Sequence, residues 1–562
     1  MPPILALLLI ASGGAAAERA RSAAEATVFI RVVANAHIEL EEFGVRQTID
    51  REHVEVQTGS GFVISPYGYV LTNQHVIAVD DDVVSRGTMK AKLTVTQPKV
   101  EVCFSQGPGG RGSCSEASVY ASDPALDLAI LYVSVPNLPY VALGDSDVVI
   151  AGQPVEALGY PFGRRVEVGL PVEARNVVPE ITTTPGAISA TRNGEAGERR
   201  YLQVTNAVNP GNSGGPIVDR DGFAVGVITM KLRDAAGIAF AIPVNQAKDF
   251  LELHGVDQQL PARRIRLGPL QALEGKGVVL RLPEGLSDVS PFRARIETDG
   301  KLSPVVLRID RALSPWAPKQ IEQALIGSQS FEAIVATATD NRPGLRPGDT
   351  RSLAGRINGT EADGTREIGM EYAILDLGAE KLIARYIGPL EQIAFNASVL
   401  RESLIGLDGR LLVSGTVDPI ETFQWSATAM SDGQTRVPFP AGWTVEARGP
   451  TACPGLPQAN ASLAAAPAQD FTIGMRAAVW TGADVTPEQA ASACSPRGAS
   501  TTATYASRVE WLGVSYAIDG AFTRLGAGKM IQLEVIAPAD KSAFSRALLA
   551  AWIKTIRSTG LP

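Results

Sequence analysis

The segment from Thr58 to Ile77 alternates apolar and small polar residues around a Pro-Tyr-Gly turn and reads as strand, turn, strand, with His75 just past the second strand. Further along, Leu128-Ala-Ile-Leu-Tyr-Val133 is a nearly all-apolar run with one carboxylate, Asp127, at its start. A third pattern, Asn209-Pro-Gly-Asn-Ser213-Gly-Gly-Pro-Ile-Val218, sets a serine in a turn of three glycines and two prolines between stretches that read as strand. The flanks of all three are rich in Val, Ile, Thr and Gly, the composition of an all-β domain. Past residue 255 the pattern changes. Two stretches, Leu382 to Pro389 and Ile531 to Pro538, read as strands that end in proline, and helix-like runs to Leu407 and Ile556 follow them. At an offset of 149 residues, Ile387, Pro389, Ala394, Phe395 and Leu400 fall on Ile536, Pro538, Ala543, Phe544 and Leu549. Similar openings, Val279 to Gly285 and Arg436 to Gly442, precede each. The region therefore reads as two diverged copies of one α+β module.

Chemistry enters through the three N-terminal patterns. A serine hydroxyl is a weak nucleophile that needs a general base beside it and N–H donors for the oxyanion it generates. Alone, a Gly-rich turn around a serine is an ordinary β-turn, and a lone histidine is structural. The chain has only four histidines, and His37, His53 and His254 sit among charged or polar neighbours as surface residues. A buried acid is costly unless paired, so Asp127 calls for a dedicated partner, whereas Asp123 reads as a surface turn residue. The order His75, Asp127, Ser213 is that of the chymotrypsin arrangement, not of subtilisin or the α/β-hydrolases. Gly211 to Gly215 matches the hydrolase G-x-S-x-G string, but the residues after it read as strand where that elbow needs a helix.

From about residue 25 to 255 the chain resembles the protease domain of the HtrA/Deg family, serine proteases with the trypsin fold. The resemblance is carried by Gly59-Ser-Gly-Phe-Val63, Leu71-Thr-Asn-Gln-His-Val76, Asp127-Leu-Ala-Ile-Leu131, Asn209 to Pro216 and Gly237-Ile-Ala-Phe-Ala-Ile-Pro243. It implies a chymotrypsin-like double β-barrel over residues 18–260. Ser213 would be the nucleophile, His75 the general base and then acid, and Asp127 the group orienting the imidazole. The N–H groups of Gly211 and Ser213 would form the oxyanion hole. The implied reaction is hydrolysis of protein or peptide bonds through an acyl-enzyme, with no cofactor or metal. Asn212 stands where digestive proteases have an aspartate that pairs with a freshly cut N-terminus, so activation by clipping is not expected. Ala207, at the base of the primary pocket, argues against cleavage after Lys or Arg and for a small to medium apolar residue there. Thr205, Val208, Ile228 and Thr229 are candidate pocket walls. The family resemblance also raises a homotrimer as a possible assembly. The competing class is a non-catalytic binding or chaperone-like protein that keeps the protease fold as a scaffold.

At 562 residues the chain has room for three or four domains, and 45% hydrophobic with 20% charged residues marks it as globular. A net charge of −8 without a basic stripe argues against nucleic acid as a partner. Residues 1–17 read as a signal peptide: an apolar run to Ile10, then Ala15-Ala-Ala17 as a cleavage site, though without the usual basic start. This predicts a periplasmic or extracellular protein, and no later run is long and apolar enough for a stable membrane span. Four cysteines in an exported chain suggest bridges Cys103–Cys114 and Cys453–Cys494, one of three possible connectivities. Residues 261–276 read as a linker, 277–415 as the first module and 416–562 as the second, whose opening Val437 to Trp443 faintly resembles PsbP-like domains. Pro343 to Asp349 resembles a PDZ element only in part and reads as a Pro/Gly turn, so no PDZ domain is expected. The modules hold no second catalytic constellation and read as binding, targeting or regulatory parts.

Overall fold

The computed structural model describes residues 22–558 apart from 43–44, 80–81, 87–88, 106–111, 162–177, 194–198, 230–238, 274–277, 285, 291–292, 297–304, 328–334, 344–350, 361–365, 410–417, 448–455, 457–458, 468–471, 483–484, 495–502 and 526–527. The signal-peptide reading of 1–17 and the turn at 344–349 therefore lie outside the described residues. Two compact units are present. One takes the chain up to Ile265 together with Arg366–Gly369 and Gly388–Leu400, and the other takes the remainder.

The first unit is a pair of β-barrels. Strands β1 (Thr27–Glu42), β2 (Val45–Val63), β3 (Tyr69–Thr72), β4 (Asp82–Arg86), β5 (Met89–Cys103), β6 (Cys114–Asp123) and β7 (Leu128–Tyr132) run in the order β1-β2-β3-β7-β6-β5-β4. Pairing of β1 with β5 closes six of them, leaving β4 outside on β5. The second barrel, β8 (Pro154–Gly159), β9 (Thr182–Asn193), β10 (Arg199–Val204), β11 (Pro216–Asp219), β12 (Ala224–Thr229) and β13 (Ala239–Pro243), closes in the order β10-β13-β12-β11-β8-β9. Val28, Ile30 and Val32 alternate into the first core with Phe62, Val70, Leu71 and Ile130, and Ile217, Val225 and Ile228 fill the second. This is the chymotrypsin-like double barrel expected from the sequence, and Cys103 and Cys114 are bonded across β5 and β6.

A short helix α1 (Gln74–Ile77) follows β3, and α2 (Val244–Leu253) follows β13. Apolar residues at helical spacing, Val244, Ala247 and Leu251, turn one stripe of α2 into the core. Lys248 sits on the same stripe and is fully buried. Its Nζ donates to the Phe395 carbonyl at 2.7 Å and lies 3.9 Å from the centre of the Phe395 ring.

Phe395 arrives from far along the chain. After α3 (Pro318–Gly327) come α4 (Leu390–Phe395) and α5 (Ala397–Ile405), and residues 388–400 belong to the barrel unit. Leu390 and Ala394 pack with Phe223, while Gln392 and Asn396 use their side-chain amides to pair with the backbone of Arg263 and Ile265. Asp145, between the barrels, accepts from both the N–H and the hydroxyl of Ser398 at the start of α5. Sequence reading placed these helices at the end of a separate module. Their apolar and amide-bearing face explains the difference, since it is complementary to the open backbone and core edge of 261–265.

Among the described residues the second unit carries four sheets, two of them large. One has strands in the order Leu286–Ser290, Arg293–Ile296, Val305–Leu313, Glu380–Pro389, Glu367–Asp376, Ser352–Thr360, Val335–Pro343. The other has Thr444–Ala447, Ala461–Ala466, Gly474–Thr481, Lys529–Pro538, Val514–Arg524, Thr504–Trp511, with α6 (Pro487–Cys494) and α7 (Ser542–Ser558). The stretch 261–276 is not simply a linker, because Leu267–Leu273 forms a strand against Val278–Pro283. Cys494 is also disulfide-bonded, and its expected partner Cys453 lies outside the described residues.

Two measurements check the α4–α5 docking. Phe395→Ala removes a buried ring from the barrel core and is expected to destabilise the barrel unit by about 3–5 kcal/mol in denaturant unfolding, although residue 395 lies far beyond the barrels in sequence. Burial lowers the Lys248 ammonium to about 8, with Asp145 only partly opposing the shift. The unfolded chain then holds a proton that the folded one has lost between pH 8 and the ordinary lysine value near 10.5. Stability should rise with pH across that window, and Lys248→Met should remove this part of the slope in melting curves.

Candidate active site

The fold pairs His75 with Asp127, and ties the turn that carries Ser213 to strands of both barrels. His75 follows β3 in α1, Asp127 precedes β7, and Ser213 lies in the turn before β11. Because β3 pairs with β7, the ends of those strands place the imidazole beside the carboxylate. His75 Nδ1 lies 2.9 Å from each Asp127 oxygen, and the His75 backbone N–H donates to Oδ1 at 3.1 Å. Thr229, the last residue of β12, donates its hydroxyl to Oδ2 at 2.8 Å. Asp127 is only 3% exposed and has a φ of 57°, the left-handed region that Asp tolerates better than most residues. The Asn73 amide holds its carbonyl at 2.9 Å. Burial pushes the Asp127 carboxyl up, but the hydrogen bonds and charge of His75, joined by the Thr229 hydroxyl, outweigh it and hold the pKa below the usual value.

The nucleophile turn is held by both barrels. Gly214 N–H donates to the Ile228 carbonyl, Ile228 N–H to the Gly215 carbonyl, and Ser60 N–H to the Ser213 carbonyl at 2.8 Å. Gly214 has a φ of 87°, and a Cβ there would lie 2.1 Å from the Ser60 carbonyl oxygen, so only glycine fits. The N–H groups of Asn212 and Gly215 are spent inside the turn, on the Asn209 and Asn212 carbonyls, and that of Gly214 on Ile228. Those of Gly211 and Ser213 donate to nothing among the described residues. The Ser213 hydroxyl makes no hydrogen bond with a described residue either, His75 included.

The other expected site residues fall in different places. Thr205 and Ala207 are exposed at the end of β10, and Val208 packs against the second-barrel core. Ile228 is wholly inside that core, and Thr229 spends its hydroxyl on Asp127, so neither stands as a free pocket wall. Asn206, not singled out from sequence, is buried and bonds the Val155 and Thr184 carbonyls, bracing this edge. Asp123 is the turn residue it was read as, accepting from the Ala125 and Leu126 N–H groups. Among the described residues, the one grouping of metal-ligand atoms is Glu101 with the disulfide-bonded Cys103 and Cys114, whose thiolates are not free.

Residues 59–227 match the family described as a trypsin-like peptidase domain. A DegP-like periplasmic serine endoprotease of Pseudomonas putida is 33% identical over 205 residues, 36% of this chain and 35% of the relative. The serine protease HhoB of Synechocystis is 33% identical over 216 residues, 37% of this chain and 43% of that protein. The mitochondrial serine protease HTRA2 of Drosophila willistoni is 36% identical over 205 residues, 35% and 39% of the two chains. The chain thus spans little more than a third of the length of the relatives it matches. The double-barrel unit is a trypsin-fold peptidase domain. Within that class its similarity is to proteases of the HtrA type.

Thr229→Val tests the bracing of Asp127. Loss of a hydroxyl bonded to a charged group is expected to cost about 1.5–3 kcal/mol. Since Asp127 has a depressed pKa, its stabilisation is present above the ordinary carboxylate range and lost as pH falls through the lowered value. The gap between wild type and variant in unfolding experiments should therefore be widest near neutral pH and narrow below about pH 4.

Proposed function

We propose that this chain is an exported serine endopeptidase that hydrolyses peptide bonds of proteins, unfolded or damaged ones above all, through an acyl-enzyme on Ser213. The observation that carries the reading is the pairing of His75 with a buried, braced Asp127, together with a serine turn in which the Gly211 and Ser213 N–H groups are uncommitted among the described residues. In this reading His75 Nε2 takes the Ser213 proton as the oxygen attacks the carbonyl carbon, and Asp127 fixes the tautomer and stabilises the imidazolium. The Gly211 and Ser213 N–H groups receive the oxyanion, and His75 then returns the proton to the leaving amine. Serine-to-histidine contacts are often loose without substrate and tighten on binding, which fits the unbonded Ser213 hydroxyl. Ala207 keeps the preference for a small to medium apolar residue before the scissile bond. An extracytoplasmic location agrees with the disulfide and with the periplasmic naming of the Pseudomonas relative. No helix among the described residues is long and apolar enough to cross a membrane.

The regions 277–415 and 416–562 we read as diverged copies of one recognition module. Their sheets share a strand order apart from one extra edge strand in the first. Ser403 donates its hydroxyl to the Arg281 carbonyl, and Trp552 donates its indole N–H to the Pro438 carbonyl. Ser403 and Trp552 are related by the offset of 149 residues noted above, and Arg281 and Pro438 hold equivalent places in the two opening strands.

Casein digestion by the protein without residues 1–17, beside Ser213→Ala, tests the activity. Cleavage by wild type alone is expected, with Asp127→Asn slower by about 10⁴-fold. If neither cleaves and a fluorophosphonate fails to label Ser213, the non-catalytic scaffold becomes the better reading.

A further inference from the structure

Ser60 has every polar group committed, and each commitment reaches the machinery around Ser213. Its N–H donates to the Ser213 carbonyl at 2.8 Å. Its carbonyl accepts from the Thr72 hydroxyl at 2.7 Å, three residues before His75. Its hydroxyl accepts from the Tyr160 N–H at 2.9 Å and donates to the Gly211 carbonyl at 2.7 Å. The side chain is fully buried and sits in a cramped niche. A Cβ on Gly159 would lie 3.0 Å from Ser60 Oγ and 2.7 Å from Asn212 Oδ1.

Gly211 is the residue whose orientation matters most and whose own backbone resists turning least. It has a φ of 104°, a region that only glycine enters freely, and glycine has the widest choice of neighbouring torsions. Its N–H is one of the two open donors, so a rotation of the flanking peptides would point that donor away from the oxyanion. No N–H of the turn holds the Gly211 carbonyl among the described residues; the Ser60 hydroxyl does. One side chain of the first barrel thus fixes the carbonyl of the first donor residue while its backbone fixes the carbonyl of the second.

We propose that the Ser60 hydroxyl is a positioning group for the oxyanion site, holding the Gly211 carbonyl and so limiting rotation at Gly211, so that the Gly211 N–H in the preceding peptide faces the reacting carbonyl. This rests on the reading of Gly211 and Ser213 as the oxyanion donors. Ser60 touches no substrate and acts through Gly211. The arrangement also supplies what the chain lacks at Asn212, which cannot form the ion pair that an aspartate there makes with a new N-terminus.

The test compares wild type, Ser60→Ala, Ser60→Cys and Ser213→Ala in the full chain. Three readouts are used: kcat and KM on a peptide substrate, inhibition by a peptide aldehyde, and amide hydrogen exchange over 209–215. The aldehyde's tetrahedral adduct puts its oxygen in the oxyanion site. Ser60→Ala should lower kcat and weaken aldehyde inhibition by the same factor, about 10- to 100-fold, with KM within about twofold. Exchange across the turn should quicken while the melting transition remains cooperative. Ser60→Cys, which keeps a weak donor, should fall between the two.

A folded Ser60→Ala with unchanged kcat, aldehyde affinity and exchange overturns the proposal, and so does a rise in KM alone. If wild type proves inert, the peptidase reading fails by itself. Exchange then still decides for Ser60: quickening limited to the turn upholds the positioning contact, and unchanged exchange refutes it.

Discussion

A single buried carboxylate dictates much of the local structure around the site. Asp127 is nearly sealed from water, and an ionised acid in that setting is costly unless donors surround it. Three donors from two barrels converge on it: the ring and backbone N–H of His75 and the hydroxyl of Thr229. Its left-handed backbone costs about 1–3 kcal/mol by itself, and the Asn73 amide on its carbonyl helps hold that conformation. Because Thr229 belongs to the second barrel and His75 to the first, ionisation of Asp127 also ties the barrels together at the point where chemistry is proposed.

The same principle extends to the glycine-rich turn. Glycines are needed because neighbouring backbone comes too close for any Cβ, as at Gly214 against the Ser60 carbonyl. That freedom would leave the turn floppy if nothing outside it intervened. Ser60 and Ile228, one from each barrel, supply the missing rigidity through backbone contacts to Ser213, Gly214 and Gly215. A soft loop held by hard strands allows close approach to a reacting carbonyl and a defined donor direction at once.

The double barrel and the His75, Asp127, Ser213 order could be read in the chain because each depends on local pattern: alternating apolar strands, a lone acid before an apolar run, a serine among glycines. What could not be read depends on pairings between distant residues. Thr229 looked like a pocket wall because it lies downstream of the serine, and nothing local reveals that its hydroxyl meets a carboxylate 102 residues earlier. Ser60 lay in plain view inside Gly59-Ser-Gly61, yet a serine between glycines announces flexibility more readily than a fixed hydrogen bond. The linker reading of 261–276 failed for a related reason. Arginine-rich Pro261 to Arg266 looks solvated, while its backbone is claimed by Gln392 and Asn396 from over a hundred residues away.

That last contact bears on how the barrels and the rest of the chain depend on each other. Phe395 completes the first-barrel core, and its carbonyl is the hydrogen-bond acceptor for the buried Lys248 ammonium. Without it, α2 would bury an amine with no acceptor, at a cost comparable to a large share of a domain's 5–15 kcal/mol of stability. The barrel unit is therefore not finished when the chain leaves β13 and α2. It is finished only after the chain has returned, briefly at Arg366–Gly369 and then with α4 and the start of α5, so that the barrel unit is assembled from segments far apart in sequence.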